Sequence, residues 1–317
     1  MIKKKPTILI TGAAGYVGKT TVFLLKKQKI FKLVLVDKKK KPNLDFFKSQ
    51  QYIKMDLNNN LEIKLKKINP DLIIHLAALT SVTDSEKFKK KYMKNNYNVT
   101  KIICNYCKKN KKKIIFCSSA AIYKPNIRAI KENDPKKPSN FYGKTKLLSE
   151  NYIKNNLKKK SSFIILRFFN IAGGIKKKRI SFSNNNFPVL KVITLAIKNK
   201  KKFLIYGTNP KNGKTAIRDY IHVIDVVRII KKSIDHLLIK KENLIINCCT
   251  GIQTSIIDLI NHFKKVTKKN LFYQITKKRK GEDFIFFGDN RILIKKFNFK
   301  FKFSIKKIVK DSYDTIK

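Results

Sequence analysis

Between Thr7 and Thr21 the chain reads TILITGAAGYVGKTT. A β-prone run leads straight into Gly12, Gly15 and Gly18 at G-x-x-G-x-x-G spacing, and a helix-like run follows at once. That order narrows the fold more than any other feature of the chain. Glycine allows the tight turn and the close backbone approach that a pyrophosphate needs. A helix opening at such a turn offers N–H groups and positive dipole to an anion. A glycine triplet alone is a weak sign; here the strand before it and the helix behind it supply the context. The segment is expected to be a phosphate cradle at the carboxyl end of a first parallel strand.

The rest of the first half repeats the pattern. KLVLVD, YIKMDL, DLIIHLAA, KKIIFCSS and SFIILRF are short apolar runs rich in β-branched residues, as strands buried on both faces should be. Lysine-rich stretches with apolar residues at helical spacing, such as TTVFLLKKQ and YNVTKIICNYCKK, separate them. Repeated strand–helix units predict an α/β fold, a Rossmann-like doubly wound parallel sheet. After about residue 174 the pattern loosens. A loop over KKKRISFSNNNFP is followed by a helix near 188–199, a strand KFLIYG and a polar turn TNPKNGKT. Another strand–helix unit from Arg218, a strand NLIINCCT, a helix near 255–268 and short Phe-rich strands complete the chain. This second part reads as a smaller mixed α/β substrate-binding lobe.

Composition matters through charge: 74 Lys+Arg stand against 20 Asp+Glu, a net +54. A field of that sign attracts nucleic acid, anionic membrane or phosphorylated small molecules. The excess is nearly all lysine and is spread along the whole chain among Asn, Ile and Phe, residues with A/T-rich codons. It therefore reads as a solvated surface, and no dedicated nucleic-acid site is expected. The start, MIKKKPTILITG, is too short in its apolar part for a signal peptide, and no run approaches the length of a membrane span. Five cysteines make an odd count, so Cys104, Cys107, Cys117, Cys248 and Cys249 read as core thiols in a reducing cytoplasm. The histidines (75, 222, 236, 262) are scattered, and no metal site is expected.

SNFYGKTK places Tyr142 four residues before Lys146, on one face of a helix. A free phenol with a pKa of about 10 is a poor base at neutral pH. Lowering it by about three units takes about 4 kcal/mol, which an ammonium and a positive nicotinamide ring can supply in a partly dry site. Tyr142 would then accept a proton from a sugar or alcohol hydroxyl. Just upstream, FCSSAAIY puts Ser118 and Ser119 at the end of the fifth strand, where a hydroxyl would complete a Ser–Tyr–Lys network. Asp37, ending the second strand, can accept hydrogen bonds from the adenosine ribose, which favours NAD over NADP. Lys38 to Lys41 pull the other way. Asp56, after the third strand, would reach the adenine.

TGAAGYVG, HLAAL, SSAAIY, YGKTK and LRFFNIAG, in this order and spacing, resemble the extended short-chain dehydrogenase/reductase family over almost the entire chain. YGTNPKNGKTAIRDYIHVIDVV is similar to the branch that inverts carbon 4 of a UDP-hexose. The resemblance implies interconversion of UDP-glucose and UDP-galactose with bound NAD. It implies Tyr142 as base and acid, Ser119 as its hydroxyl partner and Lys146 on the nicotinamide ribose. Gly12, Gly15, Tyr16, Val17, Gly18, Asp37, Asp56, Leu57, Ala77 and Asn96 match its cofactor contacts. Asn170, Asn185, Phe187, Tyr206, Arg218, Arg279 and Glu282 match its UDP-sugar contacts, with the arginines forking onto diphosphate oxygens. The resemblance assigns 1–174 to an NAD-binding Rossmann domain, with a returning segment about 216–250, and 175–215 with 251–317 to a UDP-sugar-binding lobe. Phe286 matches the pocket gate, implying preference for UDP-glucose and UDP-galactose over N-acetylated sugars. The family's packing of the 85–110 and 142–158 regions implies a homodimer. Sugar dehydratases of the family carry an Asp-Glu pair where Ala120 and Ala121 stand. A nucleotide-sugar decarboxylase or dehydratase, or a non-catalytic RNA-binding protein on the same scaffold, are the alternatives.

Overall fold

A computed structural model of the chain describes residues 5–182, 188–208, 214–240, 242–277 and 284–316. The chain divides into two compact units, the first comprising Met1–Tyr123, Lys136–Arg167 and Val227–Ile246. The second comprises Lys124–Pro135, Phe168–Val226 and Asn247–Lys317. Against the expected 1–174 and 216–250, the first unit closes at Arg167, returns over 227–246 only, and cedes 124–135 to the second.

The first unit is built on strands β1 (Thr7–Thr11), β2 (Lys32–Asp37), β3 (Gln51–Lys54), β4 (Leu72–His75), β5 (Lys113–Ser119) and β6 (Phe163–Phe168). With the strand Leu244–Cys248 they form a seven-stranded parallel sheet, ordered Leu244–Cys248, β6, β5, β4, β1, β2, β3. β1 pairs with β2 on one side and β4 on the other, Thr11 standing opposite His75. The chain thus runs outward through β2 and β3, then returns past β1, so a topological switch point falls between β1 and β4. In such sheets ligands bind outside the carboxyl ends of the strands at that point.

The apolar runs are strands because both faces of the sheet are covered. Ile8, Leu9 and Ile10, Leu72 to Ile74, and Ile114 to Phe116 are all buried. On one face the helices Val99–Lys109 and Phe141–Leu157 bring Ile103, Ile153 and Leu157 onto Leu9, Ile73, Ile114 and Ile165. β3 ends at Lys54, shorter than the expected run, so Asp56 follows the strand as expected and Leu57 lies beyond it too.

The second unit carries small sheets. Asn170–Ala172 pairs in parallel with Tyr220–His222, and Phe203–Tyr206 in parallel with Tyr273–Thr276. Ile217–Arg218 lies between Thr254–Ser255 and Ile285–Phe286. The helices Val189–Lys198 and Ile256–Thr267 stand where the periodicity predicts them. The Phe-rich strands expected near the end are not all strands. The chain there forms the helix Arg291–Phe297, an irregular stretch through Phe303, and the helix Ile305–Thr315. FNFKFKF imitates strand alternation, but the Lys302 N–H donates to the Asp225 carboxylate at 3.1 Å, and Phe303 stacks on the His222 ring at 4.1 Å. No helix among the described residues is long and apolar enough to cross a membrane.

Candidate active site

The glycine turn is held from both neighbouring strands. The Gly12 N–H donates to the Val36 carbonyl at 2.9 Å. Gly12 has φ of +71°, and a Cβ there would meet the Ala77 nitrogen at 2.7 Å, so the turn touches the backbone beyond β4. At Gly18 a Cβ would lie 2.2 Å from the Gly12 carbonyl oxygen, and its absence seats the helix Tyr16–Lys26 on the turn. Gly15 is the N-cap of that helix, and no side chain caps it. A Cβ at Gly15 would touch, chain neighbours aside, only the Gly12 carbonyl oxygen, at 3.1 Å. The N-terminus of the helix is therefore approachable by an anion. Tyr16 and Val17 form its first turn, half-buried.

Asp37 is fixed beside the turn: one carboxylate oxygen accepts from the Ala14 N–H at 2.9 Å, the other from the Lys39 N–H at 3.0 Å. The Asp56 carboxyl is held below the usual range, chiefly by the Asn58 N–H, against its partial burial. The Ala77 N–H donates to the Thr11 hydroxyl. Gly12, Asp37, Asp56, Leu57 and Ala77 thus follow the carboxyl ends of β1 to β4, an arrangement that fits a dinucleotide across the switch point. Asn96 is different in kind. It lies in a π-helical stretch, Met93–Asn98, and its amide donates to the Leu79 carbonyl at 3.0 Å and the Thr145 hydroxyl at 3.1 Å. Its carbonyl oxygen accepts from the Leu79 N–H at 2.8 Å. With both amide hydrogens engaged, it ties the loop after β4 to the helix Phe141–Leu157.

Ser119 ends β5 and Tyr142 stands in the first turn of the helix Phe141–Leu157. The Ser119 hydroxyl accepts from the Ala121 N–H at 3.2 Å, and its effect on the Tyr142 phenol is to lower the pKa. Lys146 is 4% exposed, and its ammonium donates to the Cys117 carbonyl at 2.8 Å. The same nitrogen lies 4.9 Å from the centre of the Phe116 ring and 6.0 Å from that of Tyr142. The three predicted residues are therefore together. The expected lowering of the phenol by Lys146 is not delivered. Burial pushes Tyr142 up to about 12, with Ser119 pulling the other way. The ammonium is turned to a carbonyl and a phenyl ring, so desolvation wins. Burial likewise presses Lys146 down to about 8.

Sequence reasoning missed the groups that hold this helix. Its first N–H groups donate to side chains: Phe141 to the Glu86 carboxylate at 2.6 Å, Tyr142 to the Ser85 hydroxyl at 3.0 Å and Gly143 to the Asn140 amide oxygen at 2.8 Å. Asn140 was readable as an N-cap; Ser85 and Glu86 come from distant sequence. Missed too was the buried pair Glu150–Arg167, joined at 2.7 Å.

In the second unit, the Asn170 amide donates to the Asp219 carbonyl at 3.0 Å. Arg218 is half-buried, with Nη1 on the Ile217 carbonyl at 2.9 Å. Next to it the buried Asp219 carboxylate accepts from the Thr250 N–H, the Thr250 hydroxyl and the Gly251 N–H, each at 2.8 Å. Burial raises that carboxyl, and these bonds oppose the rise. Tyr206 ends its strand, half-buried. Asn185, Phe187, Arg279 and Glu282 lie outside the described residues.

A glycine turn at a switch point, an acidic residue ending β2, and Ser, Tyr and Lys gathered at the end of β5 define a Rossmann-like protein of the short-chain dehydrogenase type. The chain belongs to the NAD dependent epimerase/dehydratase family, which it matches over residues 8–249. It is 31% identical to the Bifunctional protein GAL10 of Pachysolen tannophilus over 87% of this chain and 43% of that protein, so it spans less than half of that relative. It is 30% identical to the UDP-glucose 4-epimerase of Dictyostelium discoideum over 92% of this chain and 90% of that one. The solved UDP-glucose 4-epimerase of Bifidobacterium longum, in complex with NAD+ and UDP, superposes with a TM-score of 0.85 at 27% identity, covering 98% of this chain and 97% of that one.

Proposed function

We propose that this chain interconverts UDP-glucose and UDP-galactose by inverting the sugar at carbon 4, with NAD retained through the cycle. The observation that carries the reading is Ser119, ending β5, acting on the Tyr142 phenol from beside the helix face that carries a buried Lys146. Relatives similar along most of their length bear the name UDP-glucose 4-epimerase, which supports the same reading.

Gly12, Gly15, Tyr16, Val17, Gly18, Asp37, Asp56, Leu57 and Ala77 would hold the dinucleotide, with Asn96 bracing the loop beside it. NAD, when bound, supplies the acceptor for the carbon-4 hydride and a positive ring beside the phenol. Tyr142, ionised as the phenolate when the positive ring stands beside it, would take the proton of the 4-hydroxyl, with Ser119 orienting the two oxygens. Lys146 holds the cofactor ribose and adds fixed positive charge. Asn170, Tyr206 and Arg218 of the second unit retain the UDP end while the 4-keto sugar turns over, and Arg279, Glu282, Asn185 and Phe187 are assigned to the same task. Tyr142 then returns its proton.

Ala120 and Ala121 form a short 3-10 turn after Ser119 and bring no acid–base group for eliminating water. Phe286, whose ring centre is 5.6 Å from that of Phe169, is proposed to disfavour N-acetylated sugars. The functional form is proposed to be a cytoplasmic homodimer formed through the helices of the 85–110 and 142–158 regions.

The test is incubation with UDP-galactose, no NAD added, with the product followed by sugar NMR and mass spectrometry. UDP-glucose of unchanged mass is expected, and NAD should be released when the protein is denatured. A product lighter by carbon dioxide or water would transfer the chain to a decarboxylase or dehydratase activity.

A further inference from the structure

Successive residues of β5 each interact with one residue of the helix Phe141–Leu157, two of them through hydrogen bonds. The Cys117 carbonyl accepts from Lys146 at 2.8 Å, the Ser118 hydroxyl donates to Glu150 at 2.6 Å, and Ser119 lowers the pKa of the Tyr142 phenol. The helix residues are spaced four apart and share one face. Tyr142 and Lys146 belong to the proposed reacting set, whereas Glu150 has no role in it so far.

Glu150 is 0% exposed and its partner Arg167 1%. The pairing is two-pronged, Nε to Oε1 at 3.0 Å and Nη2 to Oε2 at 2.7 Å, and Nη1 also donates to the Tyr123 hydroxyl at 2.6 Å. Desolvating two charges costs as much as their attraction returns in many proteins, and an apolar pair of similar volume often serves stability as well. Stability alone is therefore a poor reason for this pair.

We propose that Glu150, fixed by Arg167, is a positioning residue of the reaction: it sets the register of residues 117–119 against the helix and keeps Lys146 charged beside Tyr142. The proposal rests on the reading of Ser119, Tyr142 and Lys146 given above.

The groups facing Lys146 are Tyr142 and Glu150 on its own helix, Cys117 on β5 and His75 on β4. Burial pushes the Cys117 thiol and the Tyr142 phenol each up to about 12, and His75 down to about 3. All three are neutral at pH 7. Among the described residues, the Glu150 carboxylate is then the anion that opposes the loss of the Lys146 proton. Without it, burial acts on Lys146 opposed mainly by its contacts with Cys117.

Glu150→Gln alone strands the Arg167 guanidinium, so Glu150→Gln/Arg167→Met is made beside it. In the wild type, kcat for UDP-galactose should fall as pH rises through about 8, the value at which Lys146 loses its proton. In the variants that fall should begin about one unit lower. A second series needs no turnover: urea unfolding from pH 6 to 10, each chain with and without Lys146→Met. Lys146 is held below its unfolded pKa, so the chain that keeps it gains relative stability as pH rises past its folded pKa. That gain should begin near pH 8 in the wild type and about one unit lower in the double variant. A double variant that recovers the wild-type kcat and pH profile overturns the proposal, because the pair is then only packing. An unmoved onset in the unfolding series overturns it as well. A moved onset with no turnover in the wild type supports the Glu150–Lys146 coupling and sinks the functional reading instead.

Discussion

Tyr142 enters the helix Phe141–Leu157 half-buried, with its phenol pushed up to about 12 and eased only by Ser119. Removing its oxygen removes the proton acceptor while leaving the ring in place. Tyr142→Phe should therefore lower kcat by about 10²- to 10⁴-fold, while the NAD released on denaturation stays at the wild-type level. Loss of NAD along with activity would mean a binding role instead. His75 makes a second residue-scale case. It is 1% exposed, between the Thr11 hydroxyl at 2.7 Å and the Thr100 hydroxyl at 3.2 Å. Burial presses it down to about 3, with Lys146 adding to the effect. The folded protein keeps His75 neutral where the unfolded chain, with a pKa of about 6.5, takes a proton. Stability is thus full above about pH 6.5 and falls as pH drops toward 3, by about 2 kcal/mol at pH 5. Denaturant midpoints of His75→Gln, which cannot titrate, should lose that part of the acid dependence. Tyr142 and Lys146 were legible because four-residue spacing on a helix is local. Arg167 was not, since it meets the helical Glu150 from strand β6, 17 residues on.

At the scale of elements, the glycine turn and the 141–157 helix define the site. Gly18 lets the helix Tyr16–Lys26 sit where a Cβ would be 2.2 Å from a backbone oxygen of the turn. That neighbour cannot swing aside as a side chain would. Gly18→Ala should lower the thermal midpoint and reduce the NAD released per chain several-fold, since the helix end must withdraw from the turn. A variant with wild-type NAD content would place the cofactor elsewhere. The 141–157 helix depends on caps that cross the sequence: Ser85 and Glu86 reach it from 57 and 55 residues away. The four-residue spacing of Tyr142 and Lys146 foretold a helix, but not what orients its first turn. The stretch after Phe297 taught the converse. Alternating phenylalanines carried a strand signal, yet contacts with Asp225 and His222 took the segment instead.

For the molecule as a whole, charge is the dominant property. A chain of net +54 repels its own copies, and the proposed homodimer must form against that repulsion. Raising salt from about 0.1 M to about 1 M shortens the Debye length from about 10 Å to about 3 Å. Sedimentation velocity should then show the dimer fraction growing with salt; a monomer throughout that range would refute the dimer. The order of strands and the acidic end of β2 were legible, because hydrophobic periodicity and turn glycines act over a few residues and need no distant partner. So were the places of Ser119 at a strand end and of Tyr142 at a helix start. Where one compact unit yields to the other at Arg167, which carboxylate stands under Lys146, and why Asn96 braces a loop were decided only by tertiary structure. Each depends on which distant groups desolvate together, and burial, which sets both their charge and their hydrogen bonds, exists only once the chain has folded.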